Sequence, residues 1–297
     1  MNTTIQTTNI MEVPNRVSPL RRFFRVFLGR KVVVFGTLVI LGFAVCAAFS
    51  EWIAPYPPNY QDFNAILLQP APEHLLGTDS LGRDTLSRII FGSRTAIMVG
   101  VVALSIAAGI GMTLGITAGY FGGMTYAVIM RIIDAFMAFP ALLIALTVAA
   151  LLGGGILNVM IALGIGMMPG FARVMCGQAL SIRENDYVLA GRSLGGSNIH
   201  IMFRHVLPNC FPPMIVMMTM MIGTTILAEA GLSFLGIGVD LGVATWGGMV
   251  NEGYPYLLQN PILSFAPGFS IMVVVFAFNM VGDGIRDAID PRLRGTF

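Results

Sequence analysis

The chain has 297 residues, of which 56% are hydrophobic and 11% are charged, with a formal net charge of +2 and a mean hydropathy of +0.79. Soluble domains carry about 25% charged residues, so long apolar runs explain this composition better than a packed aqueous core does. The small net charge and the scattered arginines argue against a nucleic-acid-binding protein. The composition predicts an integral membrane protein built from α-helices.

Six apolar stretches are long enough to cross a bilayer, which takes about 20 helical residues. They cover residues 31–51, 94–119, 125–152, 156–176, 211–236 and 261–282. The first follows the basic segment LRRFFR, is of full span length and is not followed by a small-residue cleavage site. We therefore expect a retained span there and not a cleaved signal. Pro140 lies inside the third stretch and predicts a kink.

The basic residues orient the spans. Of the 17 Lys and Arg residues, Arg83, Arg88 and Arg94 alone fall on one side of the six-span arrangement. Cytoplasmic segments carry the excess of Lys and Arg, so both termini are predicted to be cytoplasmic. The predicted units are a cytoplasmic tail over 1–30, a first span with an external segment over 31–93, a five-span core over 94–283 with a cytoplasmic loop at about 178–209, and a second tail over 284–297.

Two external connections are patterned. The segment LLGTDSLGRDTLSRII predicts a helix capped by Thr78 or Asp79, with Asp84 and Arg88 spaced for an ion pair. This helix either lies on the outer interface or forms a scaffold around the outer mouth, and the two interpretations are compatible. The last external connection, about 237–260, contains TWGGMVNEGYPY, whose composition suits an interface loop and also a docking surface.

The cytoplasmic loop contains the segment DYVLAGRSLGGSNIHIMFRHVLPN. Ser181–Glu184 has the spacing of a capping box, and Ser197 is placed to cap a second helix after the Gly195–Gly196 interruption. Pro208 is expected to end that second helix, and Pro212 and Pro213 to open the next span. Two apolar faces are predicted, one in each helix: Tyr187, Ala190 and Leu194, then Ile199, Met202, Phe203 and Val206. A small, polar glycine bend favours a docking knuckle for another protein over a pair of interfacial helices, which are rich in Lys and Arg.

Ionisable and sulfur side chains inside the spans are candidate functional residues. Glu229 is the deepest carboxylate, and it is expected either to face a central cavity or to pair with a partner subunit. Asp134 lies one turn beyond Arg131, which predicts a pair between them. His200 and His205 are five residues apart and are not expected to share a helical face, so no metal pair is predicted. The three cysteines lack the paired spacing of a metal or redox site: Cys46, Cys176 and Cys210.

The cytoplasmic loop resembles the signature loop of ATP-binding-cassette (ABC) importer permeases, in which an acidic-Ala-Ala triplet precedes a Gly and an LP pair closes the motif. Ala190 matches the middle of the triplet, Gly195 the glycine, and Leu207–Pro208 the closing pair. Two positions depart from the triplet: Leu189 stands where the acid would be, and Gly191 replaces the second Ala. Further segments resemble, in order over about residues 20–295, the C-type permease subunit of the dipeptide, oligopeptide and nickel branch: HLLGTDSLGRDTLSRIIFGSR, AGYFGG, MRIIDAFMAFP, LSFLGIG and AFNMVGDGIRDAIDPRLR.

The resemblance implies a six-helix type I ABC importer permease in the bacterial cytoplasmic (inner) membrane, acting as a transport subunit and not as an enzyme. The implied partners are two cytoplasmic ATPase subunits, a second, paralogous permease subunit and an external substrate-binding protein. A peptide-like solute is expected, with nickel or a metal chelate as the alternative. The residues implied to contact an ATPase are Ala190, Gly191, Arg192, Ser193, Leu194, Gly195, Gly196, Ser197, His205, Leu207 and Pro208.

The chain itself is expected to bind no cofactor, with ATP and Mg²⁺ on the partner ATPase subunits. Its one lysine, Lys31, lacks the glycine loop of a nucleotide-binding P-loop. A secondary transporter would predict internal repeats and a proton or sodium site, for which Glu229 is the one serious midplane carboxylate. An intramembrane enzyme would need a nucleophile–base pair or a metal set, and the spans show neither. Neither rival explains a patterned glycine bend in a cytoplasmic loop.

Overall fold

The computed structural model describes residues 19–238 and 242–289, and these residues form helices and loops without an extended strand. The predicted N-terminal tail lies mostly outside the described residues, as does the predicted C-terminal tail after residue 289. The helices are α1 Pro19–Gly29, α2 Lys31–Ala48, α3 Ser50–Ile53, α4 Thr85–Phe121, α5 Gly123–Met137, α6 Ala141–Leu152, α7 Ile156–Ile182, α8 Asp186–Ser193, α9 Asn198–Ile201, α10 Leu207–Phe234, α11 Trp246–Gly253 and α12 Ile262–Ile289. A π-helical turn, Met202–Val206, joins α9 to α10, and a 3-10 turn, Tyr254–Tyr256, follows α11.

The predicted spans correspond to five long apolar helices and one bent pair. Helices α2, α4, α7, α10 and α12 are each long and apolar enough to cross a membrane, and α5 with α6 makes a sixth span if the pair is counted as one. The two halves of the pair differ in direction by 88°. Pro140, which has no N–H to donate, precedes α6, so the predicted kink is confirmed and is large enough to break the helix.

The external segment before the second span does not form a helix of its own. Residues 54–84 are loop and turn, and α4 begins at Thr85 and continues into the span. The predicted caps Thr78 and Asp79 are wrong: Asp84 is the N-cap, and its Oδ2 accepts a hydrogen bond of 2.7 Å from the Ser87 amide. Thr78 and Asp79 instead fold the preceding turn, where the Asp79 amide donates to the Arg83 carbonyl over 3.0 Å.

Helices α4 and α7 pack along a seam of small residues that forms the centre of the fold. Gly111, Gly115 and Gly119 recur every fourth residue on α4. A Cβ at Gly111 would lie 2.6 Å from the Met168 carbonyl oxygen, and one at Gly119 would lie 2.7 Å from the Cys176 carbonyl oxygen. Glycine at this spacing lets two membrane helices approach backbone to backbone, which supplies the dispersion energy that holds helices together in lipid.

Candidate functional site

The cytoplasmic loop, residues 183–206, joins α7 to α10 through two short helices. The predicted capping box is wrong because Ser181 belongs to the last turn of α7, which ends at Ile182, and Asn185 is the N-cap of α8. The predicted second cap is confirmed: the Ser197 hydroxyl accepts a 3.3 Å hydrogen bond from the His200 amide. The bend between α8 and α9 passes through Gly195, whose φ of +80° lies in the left-handed region.

The apolar faces of the loop differ from those predicted. Val188, Ile201 and Val206 are fully buried and pack into one cluster with α4, α7 and α10. Several residues assigned to the inner faces instead point outward, with exposed fractions of 88% for Leu194, 67% for Ile199 and 59% for Phe203. Tyr187 and Leu189 are also exposed.

The π turn explains the change of face in the second half of the loop. An i→i+5 repeat places residues five apart in register, so Ile201 and Val206 share the buried side. The same register brings the rings of His200 and His205 to 6.0 Å, so the expectation that they do not share a face is wrong. Pro208 does not end the helix: it lies at the start of α10, which continues directly from the π turn, and Pro212 and Pro213 lie inside α10.

The loop is fastened to the cytoplasmic end of α4. The Tyr120 hydroxyl donates to Asn198 Oδ1 over 3.0 Å, and the Arg192 guanidinium lies 4.9 Å from the centre of the Tyr120 ring. The residues implied by the resemblance line this loop: Gly191, His205 and Leu207 are half-buried, and the rest are exposed. The loop is therefore attached to α4 on one side, and on its other side it exposes apolar side chains around the glycine bend. Exposed apolar groups arranged in this way are typical of a protein-binding surface.

The external arginines lie in a buried charge network. Arg83 Nε donates to Asp79 Oδ2 over 2.6 Å, and Arg83 Nη2 donates to Glu252 Oε2 over 2.7 Å. Arg88 Nη1 reaches the same two carboxylates at 2.5 and 2.8 Å. The predicted pair between Asp84 and Arg88 is therefore wrong. The placement of arginines on the side that usually has few was the sequence signal for this network, which ties α11 and the external segment to α4 through Arg83 and Arg88, whereas Arg94 is exposed and pairs with Glu51.

An open cleft of about 550 Å³ lies beside this network, at the outer ends of the helices. Glycines make up much of its wall, together with Arg88 and Glu252 at one side: Gly153, Gly154, Gly155, Gly236, Gly238 and Gly248. The Gly155 amide donates to the Gly238 carbonyl over 3.1 Å, so one backbone hydrogen bond joins the start of α7 to the segment after α10.

Glu229 lies behind this cleft. It is 2% exposed, and its Oε1 accepts a 2.6 Å hydrogen bond from the hydroxyl of Ser233, which lines the cleft. The side chain of Ser233 therefore lies between the Glu229 carboxylate and the cleft.

The pair predicted between Asp134 and Arg131 is wrong. Asp134 Oδ1 instead accepts a hydrogen bond from Arg173 Nη2 of α7. Arg173 Nε points to Met137 Sδ at 3.1 Å. Across the described residues, no three His, Cys, Asp or Glu side chains are placed to hold a metal ion.

The apolar helices, the loop packed against α4 and the outer cleft are those of a polytopic helical membrane protein. Comparison with known proteins gives the family. Residues 111–295 match the model of the binding-protein-dependent transport system inner membrane component, and residues 18–71 match the N-terminal transmembrane domain of oligopeptide transport permease C. The chain belongs to this family of ABC importer permeases.

Relatives and a solved structure agree with that assignment. The chain is 39% identical over 278 residues to the glutathione transport system permease protein GsiD of Pectobacterium atrosepticum, covering 93% of this chain and 92% of the relative. It is 40% identical over 284 residues to GsiD of Escherichia coli, covering 95% and 94%. An inward-facing structure of the MetNI methionine ABC transporter matches with a TM-score of 0.53 at 19% identity, over 69% of this chain and 96% of that one, which supports the type I permease fold.

Proposed function

We propose that the chain is one permease subunit of an ATP-driven importer in the bacterial inner membrane, and that it forms half of the path for a peptide-like solute. An external binding protein delivers the solute, and a second, paralogous permease completes the path. The proposal is supported by the family and by similarity to permeases named for glutathione, which is itself a short peptide. Nickel or a metal chelate is the alternative solute within the same family.

The observation that carries the proposal is the exposed apolar surface of the cytoplasmic loop. We define the coupling surface as Leu189, Leu194, Ile199 and Phe203 around the Gly195 bend. Covering a large apolar side chain contributes about 1.5–3 kcal/mol, so a partner that buried these four groups would bind firmly. The proposed partner is one of two ATPase subunits, which hold ATP and Mg²⁺. Because Tyr120 and Arg192 fasten the loop to α4, movement of the ATPase would be passed to the spans.

At the other end of the molecule, the proposed outer mouth of the path is the glycine-lined cleft. Hydrogen-bonded glycine segments change conformation at low cost, which suits a mouth that opens and closes. Glu229 is proposed to act on this path through Ser233, whose hydroxyl bonds to the carboxylate and whose side chain lines the cleft.

Purification of the tagged chain from its native membrane in a mild detergent tests the coupling surface. Leu194→Asp introduces a charge at a position 88% exposed, so the fold should be kept while the ATPase subunits are lost from the complex. Leu258→Asp is the matched control, since Leu258 is fully exposed in the last external connection, and its complex should keep the ATPases. Retention of the ATPases by Leu194→Asp would contradict the proposed surface.

A further inference from the structure

One ion pair in the predicted spans belongs neither to the coupling surface nor to the outer cleft. Asp134 of α5 and Arg173 of α7 are bonded to each other, yet their side chains remain 51% and 48% exposed. Arg173 uses Nη2 for Asp134 and Nε for Met137 Sδ, and its Nη1 has no hydrogen-bond partner among the described residues. The pair therefore leaves a guanidinium edge open on the surface of the chain.

The pair lies in the part of the spans nearest the cytoplasmic loop, because Gly115, which packs on the Ala172 backbone beside Arg173, is close to the cytoplasmic end of the long helix Thr85–Phe121. Arg183 Nη1 donates to the Gly119 carbonyl over 2.9 Å, beside the turn at Gly122, which places the cytoplasmic ends of α4, α5 and α7 at one level. At a rise of 1.5 Å per residue, Arg173 lies roughly 15 Å along α7 from Arg183, and Asp134 lies roughly 18 Å along α5 from Gly122.

A charged pair that is about half exposed on the helical spans is best satisfied by water or protein in front of it. An Arg or Asp side chain that faces lipid is costly, by about 2.5–3.5 kcal/mol at the bilayer centre on insertion scales and by less toward the ends of the spans. The exposed hydroxyls of the spans avoid such a cost by bonding to their own helix, as Thr113 does to the Gly109 carbonyl and Thr147 to the Leu143 carbonyl. Arg173 has a donor without a partner among the described residues and carries a formal charge, so a hydrogen bond to its own helix does not satisfy it.

The helix break lies at the same depth as the ion pair. Helix α5 ends at Met137, three residues after Asp134, and α6 leaves at 88°. Irregular backbone at membrane depth is tolerated where protein covers it or where it lines a water-filled cavity, and discontinuous helices commonly form the solute sites of transporters. The charge pair and the broken helix are separate observations that indicate one aqueous surface.

We propose that this surface faces the solute path and that Arg173 contacts carboxylate groups of a passing peptide-like solute. The inference rests on the proposed function and adds a solute contact toward the cytoplasmic end of the path. Asp134 acts as a positioning residue: it holds Nη2 so that Nη1 points to the path, and it offsets the arginine charge. A guanidinium is well shaped for a carboxylate, and partial neutralisation keeps the contact weak enough for the solute to leave.

Cysteine labelling in the complete importer tests the inference with the ion pair intact. Gly177 lies one turn after Arg173 on α7, is exposed, and has open space where a Cβ would be built. In a background in which Cys46, Cys176 and Cys210 are replaced, Gly177→Cys is expected to react with two water-soluble methanethiosulfonates, one anionic and one cationic. The anionic reagent should react about tenfold faster because the arginine raises its local concentration. Leu38→Cys, at a 62% exposed apolar position of α2, should stay unreactive.

Two further variants test the role of the charge. Arg173→Gln should abolish the preference for the anionic reagent and slow glutathione uptake about tenfold, the loss expected for one charged hydrogen bond. Asp134→Asn keeps the arginine and removes the offsetting charge, so it should increase the preference. These results are read only if the parent importer takes up glutathione or dialanine with ATP. In that case the inference would be overturned if Gly177→Cys does not react, or if neither Arg173→Gln nor Asp134→Asn changes the preference for the anionic reagent. A parent importer without ATP-driven uptake would instead contradict the proposed function.

Discussion

At Gly195 the backbone adopts a conformation that other residues reach only with strain. Its φ is +80°, and nothing lies within 4 Å of the point that a Cβ would occupy, so the restriction is conformational and not steric. The bend also closes on two backbone hydrogen bonds, from Gly195 N to the Arg192 carbonyl at 2.9 Å and from Gly196 N to the Gly191 carbonyl at 3.1 Å. The position of the coupling surface therefore depends on this one glycine.

Gly195→Ala is expected to uncouple ATP hydrolysis from transport while leaving the protein in the membrane. A left-handed conformation costs an L-residue about 1–2 kcal/mol, which is enough to shift the bend but not to unfold a helical core. The ratio of solute imported to ATP hydrolysed should fall. Gly268→Ala in α12 is the matched control, because its added methyl group would meet nothing within 4 Å and needs no strained φ. A normal ratio of solute imported to ATP hydrolysed in Gly195→Ala would contradict the role of the Gly195 bend in coupling.

Glu229→Gln tests the proposed link between this carboxylate and the path. The amide keeps the size of the side chain and can still accept from Ser233, so the ATPase subunits should stay bound while the uptake rate falls. Thr225→Val, one turn earlier in α10, is the control, since the Thr225 hydroxyl bonds to its own helix at the Met221 carbonyl. An uptake rate equal to that of the parent would return Glu229 to a packing role.

At the scale of helices, the seam between α4 and α7 is expected to limit stability. A Cβ at Gly115 would lie closer still to the α7 backbone, at the Ala172 carbonyl oxygen, than one at Gly111 or Gly119. Gly115→Ala should force the helices apart and cost about 1–3 kcal/mol, seen as a lower Tm of the purified protein. Gly109→Ala, on the same helix with open space around it, should leave the Tm unchanged. Equal Tm values for both variants would contradict the seam.

Hydropathy alone located the membrane spans, because a span needs a long apolar run whatever its neighbours are. The sequence also predicted the kink at Pro140 and the cap at Ser197, which are local effects of a missing donor and a hydroxyl acceptor. It did not predict the faces of the cytoplasmic loop, since the π turn changes the repeat from an α-helical one. The partners of Arg88 and Arg173 were also missed, because both lie on other elements: Glu252 is 164 residues from Arg88, and Asp134 is 39 from Arg173.

For the molecule as a whole, the two ends have different chemistry. The cytoplasmic end presents apolar side chains on a loop fastened to α4, and the external end presents a polar, glycine-lined cleft beside a buried charge network. The long helices α4 and α7 connect the two, and the Arg173–Asp134 pair lies between them. An ATPase bound at one end could therefore move the walls of the cleft at the other through rigid helices, as in other rigid-body switches.

Uptake into proteoliposomes distinguishes a subunit of an ATP-driven importer from a carrier driven by an ion gradient. The chain is reconstituted with the permease and ATPase subunits that co-purify with it, and labelled glutathione is supplied with the external binding protein. We expect uptake to need ATP, Mg²⁺ and the binding protein together, and to be unchanged when the proton and sodium gradients are collapsed. Uptake by the chain alone, driven by an ion gradient without ATP, would contradict this expectation.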